Sequence, residues 1–527
     1  MTRILILEEI SPAGVNLLKG EAGFEVDELY ADDQAAIRAA LAAADALIIR
    51  SKTKVTAEFL ESATVLKAIG RPGTGVDNID VPAATRRGVV VMNTPAGNSI
   101  SAAEHTIGLM LALVRKIPRA DATVKSGKWE RHKFMGTELH GKMLGVVGYG
   151  KIGRELVKRA QSFEMQVVVC DPFVPEEVAR NHDISLVSLE ELLALADIVT
   201  LHAPLTPSTR CLLNEKSLGL MKTGAFLVNA ARGELVDETA LKAALKSGKL
   251  AGAALDVFAH EPRPDPDLIS LSNVVATPHI GASTLEAQEK VGVDVATQIR
   301  DYLRDGIARN AVNFPSISLT EYRRTAPYLQ LGESLGSFVG QTAQGRMKEV
   351  AVRYYGELTE ANTHLIGSSI LVGALKPILS ERVSLVNAME TARERGLHFL
   401  ESRSTRQRSY QSLISVKLIT DLGEEWVEGT VLHQDRLHIV SLDGIDVDAP
   451  LVGDMLVIRN SDIPGVIGRV GTILGDHNIN IANFALGRRE GSGQAVGVVN
   501  VDSEIPASVL ERIRALPQVS RAQVVRV

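Results

Sequence analysis

Over roughly the first 300 residues, short runs of Val, Ile and Leu alternate with segments of helical period, and this alternation constrains the fold more than any other feature. ILIL (4–7), ALIIR (46–50), LGVVG (144–148), QVVVCD (166–171), DIVTLH (197–202) and AFLVNA (225–230) are near-continuous apolar runs rather than every-second-residue ones. A strand covered by helices on both faces needs such a run. Two parallel α/β units are therefore expected, one to about Ser99 and one from about Ile100 to Thr284. In the following segment Val291, Val295, Ile299 and Leu303 recur every fourth residue, marking one helix face. That helix is expected to return the chain to the first unit and leave a ligand cleft between the two.

A chain of 527 residues exceeds one core, and its pattern changes after about Ser318. Helical periods over 325–345 and 377–396 precede alternating, strand-like runs, SLISVKLIT (412–420) and RLHIVSLDG (436–444). ESRSTRQRS (401–409), polar and holding three arginines, reads either as a solvated loop or as an anion site. Residues 453–527 run strand, helix, strand, strand, helix, strand, the split βαβ order of ferredoxin-like modules. The expected fold class is α/β, with two Rossmann-like doubly wound domains followed by an α+β domain and a ferredoxin-like domain. Their expected limits are 1–99 plus 285–318, 100–284, 319–452 and 453–527.

Gly148-Tyr149-Gly150-Lys151-Ile152-Gly153 fits G-x-G-x-x-G, which alone is a weak signal. Here it follows the strand MLGVV and opens a helix, and the next strand ends in Asp171, eighteen residues past the last glycine. Gly148 makes the turn, Gly150 lets backbone approach a pyrophosphate, and Gly153 lets the helix pack on the strand. The helix N-terminus attracts the phosphates. Asp171 can accept from both ribose hydroxyls of an adenosine and repels a 2′-phosphate, which favours NAD over NADP. No metal-ligand spacing is present, and the two cysteines, Cys170 and Cys211, are too few for a disulfide framework.

Three polar residues follow later apolar runs of the same unit: Arg232 after VNAA, Glu261 after LDVFAH and His279 after VVATP. In a parallel sheet their loops gather at the edge that bears the Gly-rich turn. Alcohol oxidation needs such a set. An imidazole titrates near neutral pH and can take the hydroxyl proton. A carboxylate orients and stabilises it, and a guanidinium fork holds a substrate carboxylate. Each residue alone has a structural explanation; the three together behind the nucleotide motif are harder to explain that way.

The runs NAARGELVDE, ALDVFAHEP and TPHIGAST, with VGYGKIG, resemble the D-2-hydroxyacid dehydrogenase family to about residue 318. The resemblance implies that Arg232, Glu261 and His279 are catalytic. It places Lys151, Ile152, Asp171, His202, Ala230, Asp256, Gly281, Ala282 and Thr74 near NAD. IIRSKT (48–53), GRPGTGVDNID (70–80) and NSISAAEHTIGLMLALVR (98–115) resemble its phosphoglycerate-specific branch. Carried over, this makes Arg50, Ser51, Arg71 and Gly73 substrate-binding, with Arg131 from KWERHKFMGTEL reaching in from a neighbouring subunit. The stretch IRNSDIPGVIGRVGTILGDHNINIANF resembles an ACT domain, a module that binds amino acids between paired copies. Asp462, Pro464, Gly465 and Asn480 fall at its effector positions. Asn460 stands where some regulated members carry an aromatic residue, so L-serine as effector stays open. Residues 319–452 resemble the intervening domain of the long-form enzymes, the allosteric substrate-binding type.

The expected activity is NAD-dependent oxidation of D-3-phosphoglycerate in serine synthesis. Side activity on 2-oxoglutarate is also expected, since it too is a dianion with a 2-oxo acid head. Two alternatives remain: a hydroxypyruvate or glyoxylate dehydrogenase of the same family, and a non-catalytic NAD-sensing binding protein. Net charge −6 gives no basic surplus for nucleic acid or anionic lipid. The longest apolar segment, Ile107 to Val114, is too short to span a bilayer. MTRILILEEI lacks the layout of a signal peptide, and a cytoplasmic home is expected. The resemblance implies a homotetramer.

Overall fold

The computed structural model describes all residues except 31–32, 316–318, 361–362, 381, 407, 434, 490 and 492. The expected limit at 318 lies outside the described residues. Five strands, β1 (Thr2–Ile6), β2 (Phe24–Glu28), β3 (Ala46–Ile48), β4 (Ala68–Arg71) and β5 (Val90–Asn93), align in parallel in the order β2-β1-β3-β4-β5. A second parallel sheet holds β6 (Met143–Val147), β7 (Gln166–Cys170), β8 (Ser185–Leu186), β9 (Ile198–Leu201), β10 (Ala225–Asn229), β11 (Leu250–Leu255) and β12 (Val274–Ala276), in the order β12-β11-β10-β9-β6-β7-β8. Strands such as β3, β5, β9 and β10 are buried along almost their whole length, which is why they read as continuous apolar runs.

The helix Leu285–Asp305 packs Val295, Ala296 and Ile299 into the core under the first sheet, beside Ile4, Ile6 and Ile48. Its ends are written in the sequence. The Thr284 side chain accepts from Ala287 N at the start, and Gly306 closes it at φ 73°. It crosses the helix Pro12–Lys19 at a pair of glycines. A β-carbon on Gly14 would lie 2.5 Å from Gly292 O.

A six-stranded sheet follows, β13 (Met347–Gly356), β14 (His398–Ser404), β15 (Ser412–Thr420), β16 (Glu424–Leu432), β17 (Arg436–Leu442) and β18 (Ile445–Pro450), in the order β14-β13-β15-β16-β17-β18. The C-terminal sheet, β19 (Asp454–Ser461), β20 (Ile481–Arg489), β21 (Gln494–Val501) and β22 (Val519–Arg526), has the order β20-β21-β19-β22. With the helices Val466–Asp476 and Ala507–Arg514 it makes the ferredoxin-like arrangement. Val447, Ala449 and Leu451 share one core with Met455, Val457, Val496 and Val498, so apolar packing runs unbroken between these two sheets. An ion network reinforces it: Arg459 pairs with Asp443 at 2.7 Å and with Glu425 at 2.5 Å, and Arg521 also reaches Glu425.

Two expectations change in this half. The span 377–396 is not one helix. The helix Thr363–Leu375 ends before Pro377, and only Ala388–Glu394 is helical beyond it. Thr363–Leu375 is apolar nearly all round and almost wholly buried, so it carries no amphipathic period to read. The stretch 401–409 is not one loop either. Its first four residues belong to β14, an edge strand exposed enough to be polar. Within it Arg408 pairs with the buried Glu428 and lies 5.2 Å over the Tyr355 ring.

The residues between those helices dock this half onto the first sheet. Arg382 donates to Val65 O and Leu66 O at 3.3 and 3.0 Å, and Asn387 Nδ2 donates to Arg86 O at 3.0 Å. Among the described residues no helix is long and apolar enough to cross a membrane.

Gly14→Ala tests the helix crossing. In a free helix the change stabilises by about 1 kcal/mol. Here the new methyl meets backbone, so a net destabilisation of about 1–3 kcal/mol is expected, read as a lower temperature for the first thermal unfolding transition. An unchanged or raised transition temperature would show that the crossing relaxes freely.

Candidate active site

In the first sheet the strand order reverses between β1 and β3, which opens a crevice at their carboxyl ends. Glu8 follows β1 and accepts from the backbone N–H groups of Arg50, Lys52 and Thr53 at 3.0, 3.1 and 2.9 Å. Asn78 Nδ2 donates to Arg50 O and Thr53 O, both at 2.7 Å. The loop bearing Arg50 and Ser51 is thus fixed from both sides. β4 ends in Arg71. Burial, together with the positive charges of Arg232 and Arg50, lowers its pKa to about 10, against the opposing pull of Asp77 and Glu8. It stays a cation at neutral pH, and among the described residues its Nε has no partner. Gly73, at φ 138°, makes room for it: a β-carbon there would lie 2.3 Å from Arg71 Nη1. Gly73 N donates to Thr94 Oγ1 at 2.6 Å, and Thr74 Oγ1 donates to Asn98 Oδ1 at 2.8 Å.

In the second sheet the order reverses between β6 and β9. Gly148 turns at φ 94°, and a β-carbon on it would lie 2.7 Å from Ala203 N. Gly153 packs as closely, its β-carbon position 2.4 Å from Gly148 O. Gly150 faces open space and caps the helix Lys151–Ser162 without a side-chain hydrogen bond. The first-turn N–H groups, including those of Lys151 and Ile152, therefore border an open cradle that suits a nucleotide pyrophosphate. Asp171 reaches back to this turn, accepting from Tyr149 N at 2.7 Å and from Phe173 N at 2.9 Å. Desolvation pushes His202 down to about 4, leaving a neutral imidazole 3.0 Å from Thr200 Oγ1.

Beyond β10 and Ala230, Asn229 Nδ2 donates to Arg232 O at 2.8 Å. Gly233 seats this loop against the next one; a β-carbon on it would lie 1.9 Å from the Phe258 carbonyl carbon. Glu261 Oε1 accepts from Phe258 N at 3.1 Å, and Oε2 lies 2.8 Å from His279 Nδ1. Burial raises the Glu261 carboxyl, but the hydrogen bond to His279 and the charges of His279 and Arg232 bring it below the usual range. It is therefore a carboxylate at neutral pH, and its bond to Nδ1 leaves Nε2 for a substrate proton. Asp256 accepts from Gly281 N at 2.8 Å, and Ala282 O accepts from Gln288 Nε2 at 2.8 Å. Arg232 Nε donates across the cleft to Asp77 Oδ2 at 2.6 Å, and Nη1 donates to Ala231 O at 2.6 Å. Its Nη2 lies over Gly75, where a β-carbon would be 1.7 Å away.

The cleft thus gathers Arg50, Ser51, Arg71, Gly73 and Arg232, with the Glu261–His279 pair beside Arg232. Arg131 sits apart, on the exposed 3-10 turn Arg131–Phe134. The C-terminal positions do not converge within this chain. Asp462 faces Arg488 at 3.4 Å, Asn480 donates to Asp502, and Gly465 turns at φ 92° after Pro464 to start the helix Val466–Asp476. Asn460 is buried and donates to Ser461 O. Sequence reasoning missed Glu8 and Asp77. Glu8 is the first carboxylate after β1, and Asp77 lies inside GTGVDN, but neither carries a motif of its own. Among the described residues no metal-holding cluster occurs.

Three domain families match the chain. They are the D-isomer specific 2-hydroxyacid dehydrogenase NAD-binding domain over residues 107–281, the D-3-phosphoglycerate dehydrogenase intervening domain over 324–443, and the ACT domain over 455–518. The chain is 43% identical over 526 residues to the D-3-phosphoglycerate dehydrogenase of Methanocaldococcus jannaschii, covering 100% of both proteins. It is 40% identical to that of Bacillus subtilis, covering 98% of each. The D-lactate dehydrogenase of Aquifex aeolicus, solved with NAD and lactic acid, superposes with a TM-score of 0.54 at 28% identity. That match covers 60% of this chain and 100% of the other.

Removing the carboxylate that grips Arg232 tests the bridge across the cleft. Asp77→Ala is expected to lower turnover at saturating NAD by about tenfold through loss of guanidinium alignment, with NAD affinity unchanged. Wild-type steady-state kinetics in this variant would show that the bridge does not orient Arg232.

Proposed function

The chain belongs to the D-3-phosphoglycerate dehydrogenase family, and on that premise we propose that it oxidises D-3-phosphoglycerate to 3-phosphohydroxypyruvate, the first step of L-serine synthesis. It is an NAD-dependent oxidoreductase with the family's nucleotide domain, an intervening domain and an ACT domain. The arginine cluster carries the choice of substrate. The substrate has anionic groups on both sides of a secondary alcohol, and Arg232 suits the carboxylate while Arg50 and Arg71 suit the phosphate, with Ser51 and the Gly73 turn beside them.

Bound NAD would supply the hydride acceptor. Gly148, Gly150, Gly153 and the first turn at Lys151 and Ile152 would hold its pyrophosphate, and Asp171 its adenosine ribose. His202, Ala230, Asp256, Gly281, Ala282 and Thr74 would line the remainder. His279 Nε2 would take the hydroxyl proton as the carbonyl forms, with Glu261 steadying the resulting cation through Nδ1. Arg232 would anchor the carboxylate and polarise the carbonyl oxygen. Cleft closure would keep water from the reacting carbon. 2-Oxoglutarate, a dianion with a 2-oxo acid head, would engage the same arginines as a side substrate.

We assign 1–99 with 285–318 as the substrate domain, 100–284 as the NAD domain, 319–452 as the intervening domain and 453–527 as the ACT domain. An amino acid, L-serine first among candidates, would bind at Asp462, Pro464, Gly465 and Asn480 once two ACT domains pair. The family resemblance implies a homotetramer, and pairing of two copies has support in the helix Ile117–Lys125, which buries no residue and lies near exposed Trp129 (82%) and Met135 (81%). A second copy on that face would give Arg131 a partner cleft to reach. A cytoplasmic home fits this metabolic role.

NADH formation from D-3-phosphoglycerate and NAD, with and without L-serine, tests the substrate and the effector. Turnover with an unphosphorylated hydroxyacid but none with D-3-phosphoglycerate would overturn the substrate assignment. Arg71→Met should raise KM for D-3-phosphoglycerate at least about tenfold, the loss of one or more charge-assisted hydrogen bonds, and unchanged KM would remove Arg71 from the phosphate site. His279→Ala should abolish turnover while keeping NAD affinity in a fluorescence titration. Asp171→Ala should weaken NAD more than NADP, and an unchanged preference would take Asp171 off the ribose.

A further inference from the structure

His279 lies at φ 54°, a left-handed conformation that costs a residue with a β-carbon about 1–2 kcal/mol. Asp256 holds the turn there in two ways. Its backbone carbonyl accepts from His279 N at 2.8 Å. Its carboxylate accepts from the next two amides, Ile280 N at 2.9 Å on Oδ1 and Gly281 N at 2.8 Å on Oδ2. Asp256 is 1% exposed, so its ionised carboxylate needs hydrogen-bond donors held against it. Thr277 Oγ1 gives its proton to Oδ1 at 2.6 Å. His105, from the helix Ser99–Val114, brings Nε2 to 3.2 Å from the same Oδ1 and 3.2 Å from Thr277 Oγ1. The one Thr277 proton is already committed, so the hydrogen shared among these groups sits on His105 Nε2.

We propose that His105 is a positioning residue for the oxidation. Its Nε2–H fixes the Asp256 carboxylate, and that carboxylate fixes the 279–281 turn so that His279 Nδ1 meets Glu261. The inference rests on the proposed role of His279 as the proton acceptor. The network transmits position and not protons: Asp256 touches the backbone N–H groups of the turn, and the His279 side chain pairs with Glu261 instead. Burial alone raises the Asp256 carboxyl, but His105, Thr277 and the Ile280 amide outweigh it and hold the group below the usual range. The acceptor therefore stays ionised at neutral pH. The packing is close: a β-carbon on Gly281 would lie 3.1 Å from Asp256 Oδ2 and 3.7 Å from His105 Cδ2.

The test uses the full chain with NAD and D-3-phosphoglycerate. His105→Leu keeps bulk and removes the donor, while His105→Gln restores a side-chain N–H of similar reach. His105→Leu is expected to lower kcat by about tenfold or more, to leave NAD affinity within about threefold, and to shift the acid-limb midpoint of kcat/KM. His105→Gln should recover most of the rate and the midpoint. Wild-type kcat with an unmoved midpoint in His105→Leu, or equal losses in both variants, would overturn the inference and leave a packing role. If His105→Leu does not fold, Thr277→Val removes the second side-chain donor to the same oxygen and must reproduce the loss, and wild-type kinetics there would equally overturn it. His279→Ala run in parallel separates the two readings. Retained turnover in that variant defeats the assignment of His279 itself, whereas an inactive His279→Ala beside a normal His105→Leu defeats only the role of His105.

Discussion

Three guanidinium groups gathered in one half-buried cleft repel one another, and the site depends on how that repulsion is contained. Two like charges 4 Å apart cost about 4 kcal/mol at an effective dielectric of 20. Arg71 registers the strain, its pKa lowered to about 10 by burial and by Arg232 and Arg50. Glu8 and Asp77 are the counterweights, Glu8 through the backbone of the Arg50 loop and Asp77 directly on Arg232. They offset part of the charge and leave the cluster a net cation, which favours entry of a multiply charged anion. Because Asp77 belongs to one sheet unit and Arg232 to the other, the same pair also ties the two halves of the cleft together.

The architecture delivers these groups through two strand-order reversals. In each parallel sheet the loops on either side of the reversal leave a crevice at the carboxyl ends of the strands. The first sheet places Glu8 and Arg50 there, and the second places the Gly148 turn against His202. Arg232, Glu261 and His279 follow β10, β11 and β12 and so arrive at one edge without being near in sequence. Small residues then set the spacing. Gly73 lets Arg71 pass, Gly75 lets Arg232 lie against backbone, and Gly233 seats the Arg232 loop on the next one.

The C-terminal half is joined more closely than its two patterns suggest. One apolar core crosses from the third sheet to the fourth, and Glu425 sits between Arg459 and Arg521 at the junction. The same half grips the first sheet through Arg382 and Asn387, at the turns that lead into β4 and β5. The far ends of those strands carry Arg71 and Asn93, so the contact bears on elements that also shape the cleft.

The sequence by itself determined the parallel sheets, the Gly-rich turn and the ferredoxin-like module, and it singled out Arg232, Glu261 and His279, which the tertiary structure brings to one cleft. Continuous apolar runs and glycine spacing are local consequences of burial and backbone geometry, and such consequences are written in adjacent residues. It did not reveal the helix Thr363–Leu375, whose apolar surface has no period, or the edge strand β14, whose exposure permits polar residues. Glu8, Asp77 and His105 were also illegible. Each acts on a residue far along the chain, Asp77 on Arg232 and His105 on Asp256, and no local pattern records a partner that only the tertiary structure brings within hydrogen-bonding distance.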